Sequence, residues 1–199
     1  MLTIVIQAGG ESRRMGQDKA LLPFLGQPLI ARIVARFRPI ANEMLVTTNR
    51  PEAYQFLGLP LYADLLPGRG ALGGVYTALK LAQNPCVAII ACDMPFASPA
   101  LAGAERDMLL ANQNDLVIPH SGEGLEPFHA VYRRESCLPA IEAALQAGKW
   151  RVDAWFSQVK VQILRQEDIL PFDTLGLCFQ NVNTPEELQA AEALAQQIE

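Results

Sequence analysis

Residues 8 to 19 read Ala8-Gly9-Gly10-Glu11-Ser12-Arg13-Arg14-Met15-Gly16-Gln17-Asp18-Lys19, with three glycines, two arginines and a lysine in one short run. Glycines let backbone N–H groups approach phosphate oxygens closely, and Arg13, Arg14 and Lys19 supply the opposite charge. The run is suited to holding a polyphosphate. It is not a P-loop, because Gly16 is followed by Gln17 rather than by Lys and then Ser or Thr. The second residue with chemistry to offer is Asp93, which closes the longest uninterrupted apolar stretch, Val87 to Cys92. Magnesium takes one or two carboxylates together with substrate phosphates, so a carboxylate at the end of a buried strand can hold that ion against a triphosphate.

A second glycine run, Gly68-Arg69-Gly70-Ala71-Leu72-Gly73, matches GxGxxG, and Asp93 lies at the distance expected of a dinucleotide-binding fold. Asp64-Leu65-Leu66-Pro67 stands between it and the preceding apolar run, whereas that fingerprint leaves its strand directly. A nicotinamide-dependent oxidoreductase using Gly68 to Gly73 is therefore the rival enzyme class, and a nucleotide-binding module without catalysis is a further one. Leu72, Val75, Leu79 and Ala82 make the next segment a helix, with Gly73 and Gly74 costing its first turn roughly 1 kcal/mol each relative to Ala. Either close packing on the sheet or the approach of a nucleobase accounts for them. Asp64 and Asn49 are nearby polar candidates. Asn181 and Asn183 precede a helix, as ordinary Asx turns or with amides aimed into a site. His129 reads as a strand histidine in the core, and no Ser-His-Asp or Cys-His arrangement can be assembled.

Short apolar runs at 2–7, 43–48, 86–91, 116–119, 128–133 and 159–164 alternate with helical patterns, which predicts an α/β sheet with helices on both faces. Several runs are continuously apolar, as strands buried on both faces are. In such a sheet ligands bind beyond the carboxyl ends of the strands, where both the 8–19 run and Asp93 fall. Pro28 opens a helix with Leu29, Ile30, Ile33, Val34 and Phe37 on one face. Ser98-Pro99 starts another. Thr184-Pro185-Glu186-Glu187 carries a capping box for a last helix.

The 199 residues are read as one domain, 1–199. Sixteen Lys plus Arg against twenty-one Asp plus Glu leave a net charge of −5, which disfavours nucleic acid and anionic membranes as partners. No apolar run approaches the roughly 20 residues of a spanning helix. A cytoplasmic address is expected. Cys86, Cys92, Cys137 and Cys178 show no zinc spacing and are expected as buried, reduced thiols.

The order Gly-Gly-x-Ser-x-Arg-Met-Gly-x-Asp-Lys after a first strand resembles the nucleotide-binding loop of nucleotidyltransferases, most closely the molybdenum cofactor guanylyltransferases. The resemblance continues through Thr48-Asn49-Arg50, Asp64, Gly68 to Gly74, Cys92-Asp93-Met94-Pro95, Gly148-Lys149-Trp150-Arg151-Val152 and Asn181-Val182-Asn183-Thr184-Pro185-Glu186-Glu187. It implies a three-layer, mostly parallel Rossmann-like sheet of the nucleotide-diphospho-sugar transferase type. It implies transfer of GMP from GTP to molybdopterin, with Mg2+ as cofactor and with molybdenum-insertion and molybdoenzyme maturation proteins as partners. Cytidylyl- and sugar-1-phosphate nucleotidyltransferases share much of the pattern. By resemblance Ala8, Gly9, Gly10, Gly16, Lys19, Asn49, Asp64 and Gly70 bind the nucleotide, Asp93 holds the metal, and Lys19, Asp93 and Arg14 serve catalysis. Arg151, Asn181 and Asn183 face the second substrate. Two departures stand out: Gln7 where the family has Leu, and Glu126 before Pro127 where many relatives have His or Gln.

Overall fold

A computed structural model describes residues 1–9 and 18–198. The elements run β1 (Leu2–Gln7), β2 (Pro23–Phe24), β3 (Gln27–Pro28), α1 (Leu29–Phe37), β4 (Glu43–Thr47), β5 (Leu61–Tyr62), α2 (Gly70–Leu81), β6 (Cys86–Ala91) and α3 (Pro99–Ala111). They continue with β7 (Leu116–Ser121), β8 (Gly124–Leu125), β9 (His129–Arg133), α4 (Arg134–Gln146), β10 (Val161–Leu164), α5 (Gln166–Ile169) and α6 (Pro185–Ile198). The main sheet has the order β10-β7-β9-β6-β1-β4-β5, with β8 paired to β7.

Every strand predicted from apolar runs is present, trimmed or extended at its ends. β9 departs from parallel order, running antiparallel to both β6 and β7, as the short β8 does toward β7. The reason is its connection. β7 reaches β9 through the β8 hairpin turn, and so short a link can deliver only an antiparallel neighbour. Helix α4 has no counterpart among the predicted helices; Pro139 in its interior removes one backbone donor and disguises the pattern.

Alternate strand residues divide the core into two layers, as the period of two requires. Ile4, Ile6, Val46, Ala88 and Ile90 pack against α1, α3 and α6 through Ile33, Leu101, Leu109 and Ala191. Val5, Leu45, Val87, Ile89 and Ile118 pack against α2 and α4 through Val75, Leu79, Ile141 and the buried Trp155. The result is a three-layer α/β sandwich. All four cysteines are free and buried, as expected. Among the described residues no helix is long and apolar enough to cross a membrane.

The strand register sets the crevice. Gln7 of β1 is level with Thr47 of β4 and Ala91 of β6, so the segments that follow these three strands emerge side by side. Ala8 N donates to Thr47 O (2.8 Å) and Cys92 N donates to Gln7 O (3.1 Å), which carries the alignment one residue past the strands.

Candidate active site

Lys19 opens a single 3-10 turn, Lys19–Leu21, whose start is capped by Asp18 accepting from Ala20 N at 3.3 Å. That turn sends the Lys19 ammonium across the crevice to the carboxylate of Asp93, just beyond β6, with which it forms an ion pair. Both side chains are mostly shielded. The same ammonium donates to Asn183 Oδ1 at 3.0 Å. Asn183 is brought there by the backbone, because Val182 N donates to Asp93 O at 2.9 Å. The capping box of α6 then fixes the segment: Glu187 accepts from Asn183 N and Thr184 N, and Thr184 Oγ1 accepts from Glu187 N. Three residues from the start, middle and end of the chain meet on one cation.

Asp18 is itself pinned. Tyr54, fully buried, donates its hydroxyl to Asp18 Oδ2 at 2.7 Å, and Arg50 lies 3.6 Å from the same oxygen. Burial, followed by the bond to Asp18, pushes the Tyr54 hydroxyl far above its ordinary pKa, so it remains a donor at any ordinary pH. Sequence reasoning missed Tyr54, since nothing in its local pattern foretells a partner thirty-six residues away.

On the other side of Gln7 lies a polar cluster. Asp64 Oδ1 accepts from Thr77 Oγ1 at 2.6 Å and from Leu66 N at 3.1 Å, while Asn49 Oδ1 accepts from Asp64 N at 3.2 Å. Thr77 was also missed; its signal is a hydroxyl at a buried position of α2. Gly70 begins α2 at φ +59°, a conformation that favours glycine. The space left by Gly73 and Gly74, open to close packing or to a nucleobase on the sequence alone, is occupied by the protein itself. A Cβ on Gly74 would stand 2.4 Å from Gln7 Nε2, and one on Gly73 would stand 2.9 Å from the Leu66 carbonyl. Close packing accounts for this pair. The rival GxGxxG reading also loses its context, because its glycines follow the edge strand β5 rather than the first strand.

Of the expected second-substrate residues, Asn181 and Asn183 share a cleft whose lining does not include Arg151. Arg151 is exposed and forks onto Asp153, at 3.0 and 2.9 Å. Its neighbour Trp150 stacks under the Arg69 guanidinium at 4.4 Å, tying this loop to the start of α2. Asn181 and Asn183 line a cleft of about 590 Å³ that extends to His120, Gln166, Asp173 and Phe179. Ala8 is buried and Gly9 exposed, directly after β1. Gly10, Arg14 and Gly16 lie outside the described residues.

The donor set can be tested against magnesium. Asp93 Oδ2 and Asn183 Oδ1 converge on one cation position, and no group of three His, Cys, Asp or Glu side chains is found among the described residues. One carboxylate and one amide oxygen, completed by phosphate oxygens, is a set a hard, octahedral ion accepts.

A three-layer α/β sheet with a lysine, an aspartate and an asparagine converging beyond β1 and β6 is the fold and site of a nucleotide-handling α/β protein, and solved structures share the fold. Molybdopterin-guanine dinucleotide biosynthesis protein A from Archaeoglobus fulgidus superposes with a TM-score of 0.82 at 23% identity, covering 98% of this chain and 99% of that one. The 2-C-methyl-D-erythritol 4-phosphate cytidylyltransferase of Thermus thermophilus has a TM-score of 0.66 at 21% identity over 96% and 98%. A model described as the MobA-like NTP transferase domain matches residues 4–161. The probable molybdenum cofactor guanylyltransferase of Carboxydothermus hydrogenoformans is 40% identical over 92% of this chain and 91% of its own, and the molybdenum cofactor guanylyltransferase of Desulfosudis oleivorans is 34% identical over 96% and 95%. The chain belongs to the molybdenum cofactor guanylyltransferase family of MobA-like NTP transferases.

Proposed function

We propose that this protein transfers GMP from GTP to the terminal phosphate of molybdenum-bearing molybdopterin and releases pyrophosphate. The observation that carries the reading is the convergence of Lys19, the last residue of the glycine-rich run in sequence, with Asp93 and Asn183, in a chain whose relatives bear the guanylyltransferase name. The acceptor phosphate is already an anionic nucleophile. It attacks the α-phosphorus, the bond to the bridging oxygen breaks, and pyrophosphate leaves, so neither a covalent enzyme intermediate nor a strong general base is required. Catalysis then consists of alignment and charge stabilisation.

Lys19 is held between Asp93 and Asn183, where its ammonium would face the triphosphate. Asp93, with Asn183, would hold magnesium, which offsets charge gathering on the α-phosphate and the leaving group. Asn49 and Asp64 stand on the opposite side of Gln7 and take the base. The cleft beyond Asn183 has room for a second substrate.

The test is release of pyrophosphate from GTP, CTP and ATP in turn, with magnesium and the pterin cofactor. GTP is expected to be the substrate, and preference for CTP would overturn the base assignment while leaving the reaction class. Asp93→Asn is expected to abolish magnesium-dependent release in a folded protein; unchanged turnover would remove the metal role.

A further inference from the structure

We propose that His129 is a positioning residue for the transfer step, seating the segment that carries Asp93 against the segment that carries Asn183. The inference rests on the reading of those two residues as active-site groups. His129 is completely buried on β9, level with Ile90 of β6. Its Nε2 accepts from Ser98 N at 3.1 Å, at the end of the 92–98 segment that begins beside Asp93. An N–H aimed at Nε2 requires that nitrogen to be unprotonated, which leaves the proton of the neutral ring on Nδ1. Nδ1 in turn stands 3.5 Å from Oε1 of the buried Glu105.

The same ring supports the other segment. Phe179 meets it edge to face, with centroids 5.5 Å apart, two residues before Asn181. Ser98 Oγ donates to the Phe172 carbonyl at 3.0 Å and accepts from Leu101 N at 3.1 Å, so the residue held by His129 also links the two segments directly. Phe37 closes the far side of the ring and Arg36 donates to the Pro95 carbonyl, so α1 completes the seat. One imidazole is thus a shared contact of the two loops, added to the Val182 N to Asp93 O and Ser98 Oγ to Phe172 O bonds that join them directly. A displacement of about 1 Å in such a constellation can cost on the order of a hundredfold in rate.

The Ser98 bond gives the ring its direction, since a ring rotated about Cβ–Cγ would lose it. Nδ1 faces Glu105 Oε1 at 3.5 Å, and neither Nδ1 nor either Glu105 oxygen has a hydrogen-bond partner among the described residues.

The experiment compares His129→Gln with His129→Asn in the full chain. The glutamine amide reaches the position of Nε2 and can accept from Ser98 N, whereas the shorter asparagine amide reaches only that of Nδ1. Asparagine is also one methylene shorter, so urea unfolding of both variants reads the packing loss apart from kcat. His129→Gln is expected to keep kcat within about threefold of the parent, and His129→Asn to lose about tenfold to a hundredfold in kcat with the KM for GTP unchanged. Equal kcat in the two variants, or a loss confined to KM, would overturn the proposal. Hydrogen exchange at the Ser98 amide reads the same point without turnover: protection is expected in the parent and in His129→Gln and lost in His129→Asn, and equal protection in both variants overturns the proposal. If the parent itself releases no pyrophosphate, the functional reading fails, and the exchange result still decides the role of His129.

Discussion

Lys19 and Asp93 form an ion pair in the crevice, and each partner answers for a different part of the proposed chemistry. Lys19→Ala removes one preorganised cation from a developing oxyanion and is expected to lower turnover by about 10² to 10³, measured as initial pyrophosphate release. Near-normal turnover in the folded variant would place Lys19 outside the reaction. Tyr54→Phe tests the support behind it. The change deletes one donor to a charged carboxylate, so a stability loss of about 1 to 2 kcal/mol in urea unfolding is expected, together with slower turnover at unchanged fold. A variant as stable and as active as the parent would show that the Asp18 cap holds Lys19 alone. Asn183 was read from sequence with the second substrate, yet its amide oxygen bonds Lys19. Its truncation is therefore expected to disturb the nucleotide side as well.

At the scale of elements, α2 and β1 interlock through Gly73, Gly74 and Gln7. The two glycines differ in what a methyl group would meet. At Gly74 it meets the tip of a flexible amide, which can turn aside; at Gly73 it meets a backbone carbonyl, which cannot. Gly73→Ala is expected to cost about 1 to 3 kcal/mol, in the range of overpacking, and Gly74→Ala less. Combining Gly74→Ala with Gln7→Ala is expected to recover most of the smaller loss, because the clashing group is gone. Unfolding curves of the four proteins check this, and additive losses would dissociate Gln7 from Gly74. Strand positions and the helices α1, α2, α3 and α6 were legible because their apolar periods and caps are local. α4 was not, since Pro139 interrupts its pattern, and neither was the reversed direction of β9, which follows from a short hairpin connection.

For the whole molecule, the buried Glu105 makes stability depend on pH. Burial pushes its carboxyl up to about 7, with His129 pulling the other way. A carboxyl with a raised folded-state pKa binds its proton more tightly when folded. Its stabilising contribution is therefore complete below the unfolded value near 4.5 and is lost as pH rises through about 7. Glu105→Gln removes the titration while keeping the shape, so the variant is expected to gain on the parent by about 2 to 3 kcal/mol between pH 5 and pH 8, read from urea unfolding at both values. A constant difference across that range would show that Glu105 does not titrate there. The sequence by itself determined the α/β class, the strands, the glycine run with Lys19, and Asp93 at a strand end, because these depend on local periodicity and on residue types that declare their chemistry. Only the tertiary structure decided that Asn183 joins Lys19 and Asp93, that Arg151 faces Asp153 instead, that Gly74 makes room for Gln7, and that His129 lies beneath two loops of the site. Those are distances between residues far apart in the chain, set by register and packing, and no spacing along the sequence encodes them.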